Sequence, residues 1–403
     1  TCSTPPLPPG PFELPLIGHL HHLLGLPHRK LKDLSKIYGP IMYLKLGEVS
    51  TVVISSPGVA EQIMKTHDLK FVDRPQNLVS NVVQSFWSVR EEETCKDKKA
   101  FMPVAENIIS LAAGFSIADL YPSMKFLETI SGIKSKIKII HQKVDKILND
   151  IIREHKENRM ETFEGEVEED LVDVLLRIQE RPNVLEFPIT IDNVKAVILD
   201  MFIAGTDTSS TLMEWTFIEL LRSPRVMEKA QEEVRRIFNG EKKIDQADID
   251  KLNYLRLAIK ESLRLHPPAP LLVPRECRER CELEGYEIPK GSKVVVNAWA
   301  MGRDPENWKD PESFEPERFQ DLSIDYRGTN FKYIPFGAGR RMCPGILFGI
   351  ANVELPLALL LYHFDWKFAN GVKPEELDMT EEFSISLRRK QNLHVIPTRY
   401  SPS

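Results

Sequence analysis

Residues 335–345 read Pro335-Phe336-Gly337-Ala338-Gly339-Arg340-Arg341-Met342-Cys343-Pro344-Gly345, and an apolar run from Ile346 to Phe364 follows. Glycine at 337 and 339 admits backbone angles that other residues avoid, so a tight turn is expected here. Proline directly after the cysteine suits the first turn of a helix. Cys343 is thereby expected at a helix N-terminus, where free N–H groups and the macrodipole favour a thiolate. Arg340 and Arg341 add positive charge beside it. A thiolate placed this way is a nucleophile or a metal ligand, whereas most free cysteines are simply buried packing residues.

At 403 residues the chain can bury a large core. Hydrophobic residues at 42% and charged residues at 28% read as a soluble globular composition, and a net charge of −6 offers nothing to nucleic acid. The five cysteines, Cys2, Cys95, Cys277, Cys281 and Cys343, are too few and too irregular for a disulfide scaffold. Cys277 and Cys281 flank charged residues with no histidine or further cysteine to complete a zinc set, and they read as structural thiols. No stretch reaches the roughly 20 apolar residues that span a bilayer, and there is no signal peptide. Prolines at 5, 6, 8, 9, 11 and 15 predict a stiff, extended arm over residues 1–15.

Beyond the arm, Ile41–Leu46 and Thr51–Ile54 read as strands across a Gly47-Glu48 turn, and Val59–His67 as a helix. The small β region is expected over about 38–75. Asn81 to Ala100 passes abruptly from apolar residues to Arg90-Glu91-Glu92-Glu93 and Cys95-Lys96-Asp97-Lys98-Lys99 with no period. From Met102 onward helix dominates: Ile133–His155, Asp170–Gln179, and Asp192–Arg222, which would run roughly 46 Å at 1.5 Å per residue and suits a central strut. Ile249–Leu265 is a further helix, ended by Pro267-Pro268, and Tyr286–Ile288 and Lys293–Asn297 are strands around Pro289-Lys290-Gly291.

Three further patterns carry chemistry. Gly205-Thr206-Asp207-Thr208-Ser209-Ser210-Thr211 lies inside the long helix although all are poor helix formers, a cost on the order of 4 kcal/mol against alanine. Such a conflict is a common mark of function, and hydroxyls bonding backbone carbonyls would open a kink. Glu261 and Arg264 lie three apart on one helix face and can pair. His266-Pro267-Pro268-Ala269-Pro270-Leu271-Leu272-Val273-Pro274-Arg275-Glu276 is forced into an extended loop by its prolines.

Phe336, Gly339, Arg341, Cys343 and Gly345 fill every fixed place of Phe-x-x-Gly-x-Arg-x-Cys-x-Gly, and the chain resembles the cytochrome P450 family. The resemblance implies a mainly α fold with small β-sheets, the haem lying between the long central helix and the cysteine-ligand loop, in one domain over 16–403. It implies haem b held by Cys343 as the iron ligand, with Arg341 and Arg275 at the propionates and Phe336, Gly337, Gly345 and Ala204 around the cofactor. A thiolate there pushes electron density onto iron and favours O–O cleavage. Ala204, Gly205, Asp207 and Thr208 match Ala-Gly-x-Asp-Thr, which implies room for O₂ at Gly205 and proton relay by Asp207 and Thr208. Pro316-Glu317-Arg318-Phe319 follows at the family's distance, implying a buried structural network of Glu261, Arg264 and Arg318.

Ile198, Met201, Phe202, Ala204, Leu271, Val273, Phe383 and Ile385 are the implied pocket residues, and their apolar character suits a hydrophobic substrate. The family's Trp-x-x-x-Arg motif has no match, since Trp87-Ser88-Val89-Arg90 has the wrong spacing. Relatives are longer, so missing length is expected within about 80–100. The finer likeness is to plant microsomal members, above all terpenoid hydroxylases such as premnaspirodiene oxygenase and the limonene hydroxylases, through Leu7-Pro8-Pro9-Gly10-Pro11, the stretch Leu111 to Leu127, and Leu361-Tyr362-His363-Phe364-Asp365-Trp366.

That likeness implies a monooxygenase taking electrons from NADPH through NADPH–cytochrome P450 reductase, since the chain has no dinucleotide fingerprint of its own. Cytochrome b5 is a further partner. The implied place is the endoplasmic reticulum membrane, facing the cytoplasm, the proline arm being the hinge after a missing anchor. Alkaloids and phenolics are alternative substrates. A reductase-independent isomerase or synthase and a non-catalytic haem sensor are the alternative functions.

Overall fold

The computed structural model is described over residues 5–75, 117–124, 126, 132–161, 169–181, 186–239, 244–320, 324–384 and 386–401. In chain order the elements are α1 (Pro27–Tyr38), β1 (Ile41–Leu46), β2 (Val49–Ile54), α2 (Pro57–Glu61), α3 (Ile117–Leu120), α4 (Ile133–Glu161), α5 (Leu171–Glu180), α6 (Ile191–Arg222), α7 (Pro224–Phe238), α8 (Gln246–Ile249) and α9 (Asn253–Leu265). Then come β3 (Arg275–Glu276), β4 (Cys281–Leu283), β5 (Tyr286–Ile288), β6 (Lys293–Val296), α10 (Ala298–Met301), α11 (Ile346–His363), β7 (Phe364–Phe368), β8 (Glu381–Phe383), β9 (Leu387–Arg389) and β10 (Val395–Arg399). The expected segment Asn81–Ala100 and the tetrapeptide Trp87–Arg90 lie outside the described residues, as does Ile385.

Two compact units are present, one of Thr1–Pro75 with Asp207–Ser403 and the other of Gln76–Thr206. In the first, β1 and β2 pair antiparallel, Ile41 opposite Ile54 and Leu46 opposite Val49, so the second strand starts two residues earlier than expected. The sheet order is β1-β2-β6-β3, with β2 parallel to β6. Val52, Val53 and Ile54 are all buried, as a strand covered on both faces requires. Asn297, read as the end of a strand, instead caps α10, its side chain accepting the Ala300 N–H at 3.0 Å.

The helical core of this unit follows the helix period. Val226, Ala230, Val234 and Phe238 line one face of α7, and they pack with Leu255, Ala258, Ile259 and Leu263 of α9 and Ile350, Val353, Leu357 and Leu361 of α11. Residues 346–363 are long and apolar enough to cross a membrane by length and composition. Glu354 within them is buried and paired, Arg256 Nε donating to Oε1 at 2.8 Å. The expected helix Ile249–Leu265 is divided. Leu252 leaves helical geometry, and the Glu233 carboxylate of α7 accepts the Tyr254 and Leu255 N–H groups at 2.8 and 3.0 Å, so a fresh helix starts there.

In the second unit, Val144, Leu148 and Ile152 of α4 pack with Val172 and Leu176 of α5 and with Val194, Ile198 and Leu199 from the start of α6. Asp170 caps α5, its carboxylate accepting from Val172 and Asp173. Helix α6 is 32 residues long and remains α-helical from Ile191 to Arg222, including the Gly205–Thr211 run that the sequence marks as a break. One hydroxyl there, that of Ser210, bonds back to the Asp207 carbonyl at 3.0 Å.

Glu381 of β8 binds α1 across the chain, accepting from Arg29 Nε at 2.6 Å and lying 3.1 Å from His28 Nε2. Burial pushes this carboxyl up, but the hydrogen bonds from His28 and Arg29 outweigh it and hold it down at about 2. A carboxyl depressed in the folded state stabilises the fold above its unfolded value, and that contribution is lost as pH falls through the folded one. The melting gap between the wild type and Glu381→Gln is therefore expected to be widest near neutral pH. It should narrow below about pH 4.5, towards 2. A gap that widens with acid would contradict this pairing.

Candidate active site

The Cys343 turn closes as its glycines allow. Cys343 N–H donates to the Phe336 carbonyl at 3.0 Å, and Gly337 and Gly339 take φ of 71° and 70°. At Gly339 a Cβ would fall 2.0 Å from the Met64 carbonyl oxygen, so no larger residue fits. Cys343 is a free, half-buried thiol. It sits just before the helix rather than in its first turn, because Gly345 is the N-cap of α11 and Pro344 precedes it. Residues 339–341 form a 3-10 turn on the approach.

Four arginines gather around this turn. Arg275 is buried, and donates through Nη1 to Asp68 Oδ1 at 2.9 Å and through Nη2 to the Ala338 carbonyl at 2.8 Å. Arg340 N–H bonds the other Asp68 oxygen at 3.1 Å. Arg341 Nε donates to the Val72 carbonyl at 2.8 Å, and Arg74 Nη1 to the carbonyls of Val273 and Pro274 at 2.6 and 2.9 Å. Burial, and then the charges of Arg275 and Arg341, push the Arg74 guanidinium down to about 10. Among the described residues neither Arg74 nor Arg341 has an ion-pair partner, so Asp68 faces a surplus of positive charge. A free cysteine sulfur beside surplus guanidinium groups fits a thiolate-ligated iron porphyrin carrying two anionic propionates.

Helix α6 brings Asp207 and Thr208 to the first unit. A Cβ on Gly349 of α11 would stand 3.7 Å from Ser209 Oγ, so the helix that follows Cys343 runs beside the residue after Thr208. Asp207 is held by the β8–β9 hairpin: Ser386 Oγ donates to its Oδ2, and Arg388 Nη2 lies 3.6 Å from its Oδ1. Thr211 Oγ1 donates to Ser386 Oγ at 3.2 Å, which makes a chain of hydroxyls ending on the carboxylate. Gly205 and Ala204 belong to the α6 segment of the other unit.

Glu261 and Arg264 form a fully buried bidentate pair at 2.7 and 2.8 Å, and Arg318 Nε reaches the same carboxylate at 2.9 Å. The remaining guanidinium N–H groups bond the carbonyls of Gly302, Pro311, Ser313 and Lys309. The apolar candidates divide. Ile198 is in the packed core between α4, α5 and α6, where its burial is explained without a ligand. Met201 is half-buried, Phe202 and Ala204 are exposed, Leu271 is half-buried and Val273 is 61% exposed. Phe383 packs on Trp299, Ala300 and Leu387 and stacks with His28 at 6.2 Å between ring centroids.

Sequence reasoning missed Asp68, Arg74, Ser386 and Arg388, which lie far from the motifs they serve. It also missed His266, whose ring stacks on Trp215 at 4.0 Å and whose Nε2 is 2.7 Å from Glu219. Burial pushes that imidazole down from its ordinary value against the pull of Glu219.

A mainly helical fold with small sheets, a thiol in a glycine turn at the head of an apolar helix, and guanidinium groups in excess around it define a haem-thiolate oxygenase. The chain belongs to the cytochrome P450 family, whose model matches residues 8–90 and 79–396. It is 50% identical to desmethyl-deoxy-podophyllotoxin synthase of Sinopodophyllum hexandrum, covering 97% of this chain and 92% of that protein. It is 45% identical to premnaspirodiene oxygenase of Hyoscyamus muticus, over 98% and 93%, and 43% identical to salviol synthase of Salvia pomifera, over 97% and 91%. A zebra fish cytochrome P450 solved with abiraterone shares the fold, with a TM-score of 0.71 at 24% identity over 92% of this chain and 99% of that one. The protein is thus a plant-type haem-thiolate monooxygenase that works with haem, O₂, an organic substrate and a redox partner, in a class that draws NADPH electrons through a reductase.

Proposed function

We propose that the chain oxidises a hydrophobic plant specialised metabolite of the terpenoid class. The carrying observation is the segment that sets half-buried Leu271 and exposed Val273 just before the buried Arg275. It is not the extended loop its prolines suggest but a turn, Leu272 N–H bonding the Ala269 carbonyl at 3.1 Å with Leu272 at a φ of 52°. Apolar side chains are thereby offered to a substrate two residues from a cofactor-holding cation. The likeness to premnaspirodiene oxygenase supports a terpenoid. The likeness to desmethyl-deoxy-podophyllotoxin synthase favours a second reading, an aromatic phenolic. We further place the chain at the endoplasmic reticulum membrane, facing the cytoplasm, with residues 1–15 as a hinge, and name NADPH–cytochrome P450 reductase and cytochrome b5 as partners. Residues 16–403 are read as one haem-thiolate domain with length missing within about 80–100. Two overlapping family matches there, and an alignment of 465 residues on a chain of 403, support that reading.

In this reading Cys343 is the iron ligand, Arg275, Arg341 and Arg74 hold the propionates, and Phe336, Gly337 and Gly345 shape the cofactor side of the turn. Bound haem supplies O₂ activation and oxygen insertion. The protein's share is proton supply. Asp207, held by Ser386 and Arg388, passes protons towards the Thr208 hydroxyl, which places them at the reacting oxygen.

Turnover with NADPH and purified reductase over a terpene, phenolic and alkaloid panel, in air and without it, tests the substrate reading. Oxidation of phenolics alone would replace the terpenoid assignment, and turnover without reductase or O₂ would overturn the oxygenase cycle. For proton supply, Thr208→Ala and Ser386→Ala are expected to bind haem and substrate normally. Both should form less product per NADPH and more hydrogen peroxide. An unchanged ratio would return Thr208 to helix packing and Ser386 to holding the β8–β9 hairpin against the helix.

A further inference from the structure

Cys277 and Cys281 take no part in the haem site, yet the fold sets them face to face. Cys277 follows β3 and is held by its own backbone, its N–H on the Ser292 carbonyl at 2.9 Å and its carbonyl accepting from Gly291 at 2.7 Å. Cys281 opens β4, opposite Ile288 of β5. Between them Arg278, Glu279 and Arg280 form an exposed three-residue loop, and the two sulfurs lie 3.9 Å apart. Both side chains pack in the same apolar cluster, with Leu283 and Ile288.

The two thiols are not equivalent. Cys277 is fully buried, whereas Cys281 keeps 9% of its surface in contact with solvent. The Cys277 thiol faces the carbonyls of Glu279 at 3.0 Å and Ile288 at 4.0 Å, and it shares with Cys281 Sγ a contact in which either thiol can donate. Lys70 stands over the loop, paired with Glu279 at 3.3 Å and accepting the Arg278 N–H on its carbonyl at 2.8 Å. The hydrogen bond from Cys277, and then the charge of Lys70, hold the Cys281 thiol below its ordinary value, while the same bond and burial push Cys277 up. Cys281 is therefore the less buried of the two, and Cys277 a fully enclosed thiol within its reach.

We propose that Cys277 and Cys281 are a peroxide-oxidisable dithiol, with Cys281 the attacking sulfur and Cys277 the resolving one. Hydrogen peroxide is the oxidant. The Cys281 thiolate attacks one peroxide oxygen, the O–O bond breaks, and hydroxide leaves with Cys281 as a sulfenic acid. Cys277 then attacks that sulfur, the S–O bond breaks, and the departing hydroxide takes the Cys277 proton as water. Two thiols lose two electrons in forming one disulfide, and peroxide is reduced to two waters. The new bond closes the 278–280 loop and ties β3, which carries Arg275, to the β4–β5 hairpin. None of this depends on the substrate reading.

The test uses the reduced, haem-loaded protein treated with hydrogen peroxide, then alkylated and digested with trypsin without reductant. Arg278 and Arg280 lie between the cysteines, so trypsin separates them and only a disulfide holds the two peptides together. The expected result is that linked pair, released by dithiothreitol. With a sulfenic-acid probe present during oxidation, Cys277→Ser is expected to carry label at Cys281, and Cys281→Ser none at Cys277. The proposal is overturned if the wild-type peptides stay unlinked at peroxide concentrations that fully oxidise glutathione. A bond from either sulfur to Cys2 or Cys95 instead, or label on Cys277 in place of Cys281, would overturn it equally.

Discussion

Changing Glu261 to glutamine is expected to yield mostly misfolded or haem-free protein. Oε1 of Glu261 accepts from Arg264, from Arg318 and from the Glu315 N–H at 2.7–2.9 Å, and Oε2 accepts from Arg264 Nε at 2.8 Å. Every bond made by the carboxylate is to a donor. A glutamine amide turns one acceptor into a donor, which must face a guanidinium. Arg264 is buried completely and cannot regain water. Breaking such a pair at one member costs about 3–5 kcal/mol, a large share of a typical stability of roughly 5–15 kcal/mol. Melting should fall by roughly 4–6 °C for a chain of this length. Thermal melts and haem content of purified Glu261→Gln are the measurement, and a haem-loaded variant melting like the wild type would sink the structural role.

Cys343→Ala is expected to remove the red-shifted Soret band of the reduced carbon monoxide complex while leaving the polypeptide folded. The turn is closed by the backbone bond from residue 343 to the Phe336 carbonyl and by the glycine conformations at 337 and 339, none of which involves sulfur. The bonds that Arg275 and the Arg340 N–H make to Asp68 are likewise untouched. The variant should therefore keep the wild-type far-ultraviolet circular dichroism and lose only the thiolate spectrum and turnover. Retention of the shifted band would displace Cys343 from the metal, and loss of the helical signal would make its role structural.

These two residues were legible from the chain for the same reason. A turn needs particular glycines within a few positions, and a helix brings residues three apart onto one face, so the Cys343 loop and the Glu261–Arg264 pair are written in contiguous sequence. The hairpin of β1 and β2 and the span of the long helix were readable by alternation and period. The division between α8 and α9 was not, because the cap on α9 is a glutamate of another helix. Nor was the unbroken course of α6 through Gly205–Thr211, where local propensity is overridden by the rest of the helix and its packing.

By itself the sequence pointed to the class of chemistry: a cysteine in a glycine turn ahead of an apolar helix, Asp207 and Thr208 side by side on a long helix, and a glutamate–arginine pair three residues apart. Only the tertiary structure decided what surrounds each. Asp68 meets Arg340 across 272 positions, Ser386 reaches Asp207 across 179, and Glu381 binds Arg29 across 352. Side chains so far apart share no period and no turn. Their pairing depends on how the sheet and helices stack, and charge or hydrogen-bonding capacity read at one position says nothing about which distant partner folding will bring to it.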